Sequence, residues 1–170
     1  MSPKKEPPQR RAVKADTKAA GSAQSVAERR SAEAVLRSLI EKFTGDRVRL
    51  VGALRRSLQK RLPTAHEVVY EYRDCFVISY SPSEHGYDGV LVIRGSADDV
   101  KLYFNFGKGL PDPEKLLRGS AKLVRWIEVG DTSTLTRPAV TGLIEAAIAR
   151  APKAFERTGR GSVIIQSLKT

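Results

Sequence analysis

The chain predicts an α+β fold, with an antiparallel meander sheet packed against N-terminal helices and a C-terminal helix. Three observations carry that expectation. Two early segments repeat apolar residues with helical period, and four short β-rich runs follow, separated by turn residues. The segment from Leu102 to Val129 then joins a strand, a capped turn and another strand with no spare residues.

The first helix places Val35, Leu36, Leu39, Ile40 and Phe43 on one stripe and ends at Thr44-Gly45. Asp46 stands where a cap for the second helix is expected. That helix carries Val51, Leu54, Leu58 and Leu62 on its apolar line, keeps Arg47, Arg55, Arg56, Lys60 and Arg61 mostly off it, and stops at Pro63. Strands are predicted over Val68–Tyr72, Phe76–Tyr80, Val90–Ile93 and Val100–Phe106. The last of these alternates most clearly, with Val100, Leu102, Phe104 and Phe106 toward a core and Lys101, Tyr103 and Asn105 on the other face. Asp112 and Pro113 then read as the start of a short helix, with Gly119 as its left-handed stop. Leu123–Val129 reads as a further strand. Pro138 opens a helix with Val140, Leu143, Ile144, Ala147 and Ile148 on one side, and residues 162–167 form a final strand suited to a sheet edge.

A length of 170 residues with 41% hydrophobic and 29% charged composition fits one domain with a tail. Residues 1–24 hold Val13 alone among the large aliphatics and read as a disordered basic arm. Residues 25–170 read as the single domain, with a core at about 46–151 and an extension at 152–170. Cys75 is the only cysteine, so no internal disulfide can form, and its neighbours Phe76-Val77-Ile78 predict a buried thiol suited to a reducing cytoplasm. No apolar run follows the basic start as a signal peptide would need, and none approaches a membrane span. The formal charge of +11 points toward anionic partners.

The order helix, helix, meander, strand, helix, together with the run Gly107-Lys-Gly-Leu-Pro-Asp-Pro-Glu-Lys-Leu-Leu-Arg-Gly-Ser-Ala-Lys122, resembles the YdhG-like family, a bacterial domain of unknown function. The likeness is most specific from Leu110-Pro-Asp-Pro113 to Lys122 and spreads diffusely from about Asp46 to Ala151. It implies an α+β fold with an antiparallel sheet and little assigned chemistry. Some relatives carry a frataxin-like iron-chaperone label, which would require an acidic, oxygen-rich face. The early helices here are basic, and Asp98-Asp99 sits where a hairpin turn uses Asp for local backbone bonding, so no metal ligands are assigned.

Candidate sites follow from charge and placement. Gly107-Lys108-Gly109 offers backbone N–H groups near a helix start, but Asp112 is already a negative cap there and Gly-x-Gly is common where a strand turns, so a plain structural turn is the favoured reading. Tyr103, Lys108, Lys122 and Arg125 form a cationic, partly aromatic groove if their strands are neighbours, against the plainer reading of a solvated sheet face. Trp126 reads as sheet packing. Arg47, Arg55, Arg56 and Lys60 offer a second basic face for phosphates. Cys75, His66 and His85 have neither the placement of a thiol–imidazole pair nor the number for a zinc cage. The expectation is a non-enzymatic binding module without cofactor, taking an anionic small molecule or acidic protein surface in the Tyr103 groove. Weak, sequence-tolerant nucleic-acid binding through the arm and second helix is the alternative, and iron handling or an enzyme comes after it.

Overall fold

A computed structural model describes residues 23–166. The expected arm at residues 1–24 falls almost wholly outside that range. Its last residue, Gln24, belongs to the folded part, because its side-chain amide bridges both backbone groups of Val163.

The α+β class holds. Helix α1 spans Val26–Thr44 and starts with a capping box, in which Ser25 Oγ accepts from the Glu28 N–H and the Glu28 carboxylate accepts from the Ser25 N–H. Gly45, at φ 56°, ends it, and a single 3-10 turn leads into α2 at Val48–Arg61. Asp46 lies within that turn, and no side chain caps α2. The stripe Leu36, Leu39, Ile40 and Phe43 is buried as expected, whereas Val35 is 44% exposed on the flank of α1.

Strands β1 (His66–Glu71), β2 (Cys75–Ser81), β3 (Leu91–Ser96), β4 (Val100–Phe104) and β5 (Arg125–Glu128) form an antiparallel meander. Strand β6 (Val163–Gln166) adds to β1 in parallel, giving the order β5-β4-β3-β2-β1-β6. The sheet is therefore mixed, which corrects the all-antiparallel expectation. The segment before β6 runs beside the entry to β1, with Thr64 Oγ1 donating to the Glu156 carbonyl and the Gly161 N–H to the Pro63 carbonyl, so both strands start from the same end. Helix α3 spans Pro138–Ala149 and contributes Val140, Leu143, Ile144 and Ala147 to the same core as Leu54, Leu58, Ile78 and Ile93.

One row across the sheet, Val69, Ile78, Ile93, Leu102 and Ile127, lies entirely in this core. The neighbouring row, Val68, Ser79, Val92, Tyr103 and Trp126, faces the opposite side by the period-two rule. The loop after β2 folds back over part of that side. Gly86 lies against the Tyr70 ring, its carbonyl accepts from Ser79 Oγ at 2.7 Å, and Gly89 leaves no room for a side chain beside Ser79.

The expected short helix after Asp112 does not form. The Asp112 carboxylate accepts from the Leu116 and Leu117 N–H groups at 2.8 Å, and Lys115 takes φ 54°, so the segment closes as a turn. Gly119 adopts the positive φ of 107° expected of it. A bridge between Arg118 and Trp126 ties this segment to β5.

Candidate functional site

The sheet register decides where the first group of candidate residues stands. Tyr103 pairs with Trp126, and Phe104 pairs with Arg125. Tyr103 and Arg125 therefore project from opposite faces, because neighbouring positions on a strand alternate. Arg125 turns back on its own segment and donates to the carbonyls of Ala121 and Val124. Lys108 and Lys122 are exposed near the two ends of the segment between β4 and β5, with the Lys108 N–H donating to the Leu123 carbonyl at 2.9 Å. The expected groove of Tyr103, Lys108, Lys122 and Arg125 is thus split between two faces. What surrounds Trp126 instead is Lys101 Nζ at 4.2 Å from its ring, the Arg118 guanidinium at 5.7 Å and the Tyr103 ring at 6.4 Å.

Gly107-Lys108-Gly109 is a turn. Its Gly107 and Lys108 N–H groups already donate to the carbonyls of Phe104 and Leu123. Asp98 and Asp99 also fold onto local partners, with both N–H groups on Ser96 Oγ and the Asp99 carboxylate between Arg94 and Lys101. Cys75 and His66 sit at opposite ends of β2 and its partner, about 20 Å apart along the strands. His66 Nδ1 accepts from the Ser162 N–H, and the His85 ring stacks on Tyr87 at 5.0 Å. Among the described residues no group of three or more His, Cys, Asp or Glu side chains converges as a metal cage, and no helix is long and apolar enough to cross a membrane.

The second group of candidates is also redistributed. Arg47 donates to the carbonyl of Ala97 at the β3–β4 turn. Arg55 is drawn inward, where Nε and Nη2 grip the Glu67 carboxylate at 2.9 Å while Nη1 and Nη2 reach Glu33 at 3.2 and 3.1 Å. Glu67 is 3% exposed and is further held by Gln59 and by the Tyr80 hydroxyl, each at 2.8 Å. Burial alone would raise its pKa, but the Arg55 guanidinium and the other donors hold it below the usual carboxylate range. Burial and the nearby Glu67 charge push the Tyr80 hydroxyl well above its ordinary value. Arg55 is therefore a structural cation.

Arg56 and Lys60 stay exposed on α2. Around Arg56 a cleft of ≈ 500 Å³ opens between α1 and α2, lined by Arg37, Arg49, Arg55 and Arg56 with Glu33, Ile40, Val48, Ala53 and Thr132. Glu33 is its single carboxylate and is already engaged by Arg55. Arg37, Arg49 and Arg56 make no hydrogen bond or ion pair with another described residue. Helix geometry brings them together: on α2, Arg49, Ala53 and Arg56 recur at i, i+4 and i+7, while on α1 Arg37 follows Glu33 by one turn. Gly52 keeps the α2 wall low, with the Arg56 guanidinium lying across it. Sequence reading singled out Arg56 but missed Arg37 and Arg49. The signal was available as apolar stripes with arginines on their margins, but the partner helix that completes the cleft is a tertiary fact.

Comparison of the chain with family models, curated proteins and solved structures returns no match.

Proposed function

We propose that this protein is a non-enzymatic binding module that captures a phosphate-bearing anion in the cleft between α1 and α2. One observation supports the reading above others: three guanidinium groups, Arg37, Arg49 and Arg56, line one concavity without a carboxylate left to neutralise them. Like charges held together repel, and a bound dianion relieves that repulsion while accepting several forked hydrogen bonds. The apolar floor of Ile40, Val48 and Ala53 lowers the local dielectric and strengthens each contact. The basic residues near the start of the chain add long-range attraction for the same class of ligand. The buried Cys75 suits a reducing cytoplasm. Resemblance to the YdhG-like family, carried by the Leu110 to Lys122 segment, suits a bacterial accessory domain.

Titration of the full chain with pyrophosphate by calorimetry tests the reading. Saturable binding is expected, weakened at least tenfold by Arg49→Ala/Arg56→Ala. Equal affinity in the double variant would move the site elsewhere.

A further inference from the structure

The cleft does not end at Arg37. That residue and Glu33 also line a second, more open basin of ≈ 430 Å³ together with Val26, Arg29, Arg30 and Arg160. Arg30, Glu33 and Arg37 lie at i, i+3 and i+7 of α1, on one face of the helix. Arg160 arrives from the segment before β6, and its charge, after burial, lowers the pKa of the neighbouring Arg29. Arg29 is anchored, with Nη1 donating to the Gly161 carbonyl at 2.6 Å, whereas Arg30 and Arg160 make no hydrogen bond or ion pair with another described residue. A continuous arginine track therefore runs from Arg56 and Arg49, over Arg37, to Arg30 and Arg160.

We infer that this track binds the sugar–phosphate backbone of a single-stranded nucleic acid, an inference that rests on the anion cleft of the preceding section. Three features select that ligand. The rise from Arg30 to Arg37 is about 10 Å, well beyond the roughly 3.4 Å that one nucleotide adds along even a stacked strand, so more than one phosphate can be met along this face of α1. A small dianion fills one basin and leaves the other's charge unanswered, while a chain of phosphates answers both. The two basins meet at Glu33 and Arg37, so a ligand that answers both must follow the surface from one concavity into the next, which a flexible single strand does at less cost than a stiff duplex. Neither basin is lined by an aromatic side chain, so bases find no stacking platform and recognition falls on the backbone. Binding is consequently sequence-tolerant and salt-sensitive.

Fluorescence anisotropy of the full chain with labelled oligothymidylates of two, four, eight and twelve nucleotides tests the track, beside the same pyrophosphate titration. Affinity is expected to rise at least tenfold from the two-mer to the eight-mer. For four neutralised phosphates, binding of the eight-mer falls about 50-fold between 50 and 200 mM salt. Arg30→Ala/Arg160→Ala is expected to remove most of the length dependence while leaving pyrophosphate affinity within twofold, since neither residue lines the first cleft. Pyrophosphate binding with no gain in affinity with length, or a gain that survives in the double variant, would overturn the track and leave the cleft standing. Failure of both pyrophosphate and oligonucleotides to bind would overturn both. Polyglutamate of matched charge binding as tightly as the eight-mer would overturn the assignment to nucleic acid.

Discussion

Tyr80 donates its hydroxyl to Glu67 Oε2 at 2.8 Å with both side chains shut into the core, and the same carboxylate is gripped by Arg55 from α2. The meander and the helix layer are thus joined by a buried charge whose every donor is accounted for. Removing one partner leaves the others desolvated. Glu67→Gln is expected to destabilise the fold by about 3 kcal/mol, because Arg55 keeps only Glu33. Tyr80→Phe should cost less, about 1.5 kcal/mol, as the carboxylate retains Arg55 and Gln59. Urea unfolding of both variants checks the order; a larger loss for Tyr80→Phe would refute it.

The same network fixes the direction of the pH dependence. The folded pKa of Glu67 is depressed, so its contribution is fully present above the ordinary value of 4.5 and is lost as pH falls through the folded value. Tyr80 has a raised folded pKa, so its contribution is present below the ordinary value of 10.0 and is lost as pH climbs from there toward the folded value. Stability measured by thermal unfolding should therefore form a plateau between these limits. Glu67→Gln should flatten part of the acid limb and soften the alkaline one. An unchanged profile in the variant would show that other groups govern both limbs.

Much of the fold was legible because local signals agreed with one another. The stripe Leu36, Leu39, Ile40 and Phe43, the alternation from Val100 to Phe104 and the start of α3 at Pro138 each need only the period of a single element. The failures occur where one side chain outbids the backbone or where a distant segment intervenes. Asp112 takes two N–H groups that a helix would have used, and β6 enters parallel because the segment before it is held beside the start of β1. The site was less legible for the same reason. That Arg55 is spent on Glu67 depends on β1 lying under α2, and that Arg125 faces away from Tyr103 depends on a one-residue register that sequence spacing does not fix.

Gln24 offers a separate test of how the outer edge of the sheet is protected. Its amide donates to the Val163 carbonyl at 2.8 Å and accepts from the Val163 N–H at 3.0 Å, imitating one step of a neighbouring strand. An edge strand without such cover exposes unpaired backbone groups. Gln24→Ala should lower stability by about 1–2 kcal/mol, since each of the two hydrogen bonds nets about 1 kcal/mol and water replaces part of them at this partly buried position. Amide exchange at Val163 should accelerate well beyond that of Val69 in the sheet interior. Equal protection in the variant would mean that the edge is held by packing alone.

Gly161 tests whether the arginine track depends on the fold beneath it. A Cβ at this position would collide with the carbonyl carbon and oxygen of Ala65, both backbone atoms that cannot swing aside as a side chain would. The segment is pinned on both sides of the contact: the Gly161 N–H donates to the Pro63 carbonyl at 3.2 Å, and the Ser162 carbonyl accepts from the Glu67 N–H at 2.9 Å. Gly161→Ala must therefore lift the chain off the start of β1, at a cost of about 2 kcal/mol for overpacking. The same shift moves Arg160 and withdraws the carbonyl that holds Arg29. Oligonucleotide affinity should fall along with stability, while pyrophosphate binding in the α1/α2 cleft, which this segment does not line, should persist in the folded fraction. Normal stability with intact oligonucleotide binding would show that the backbone absorbs the methyl group, and that the placement of Arg160 does not depend on this contact.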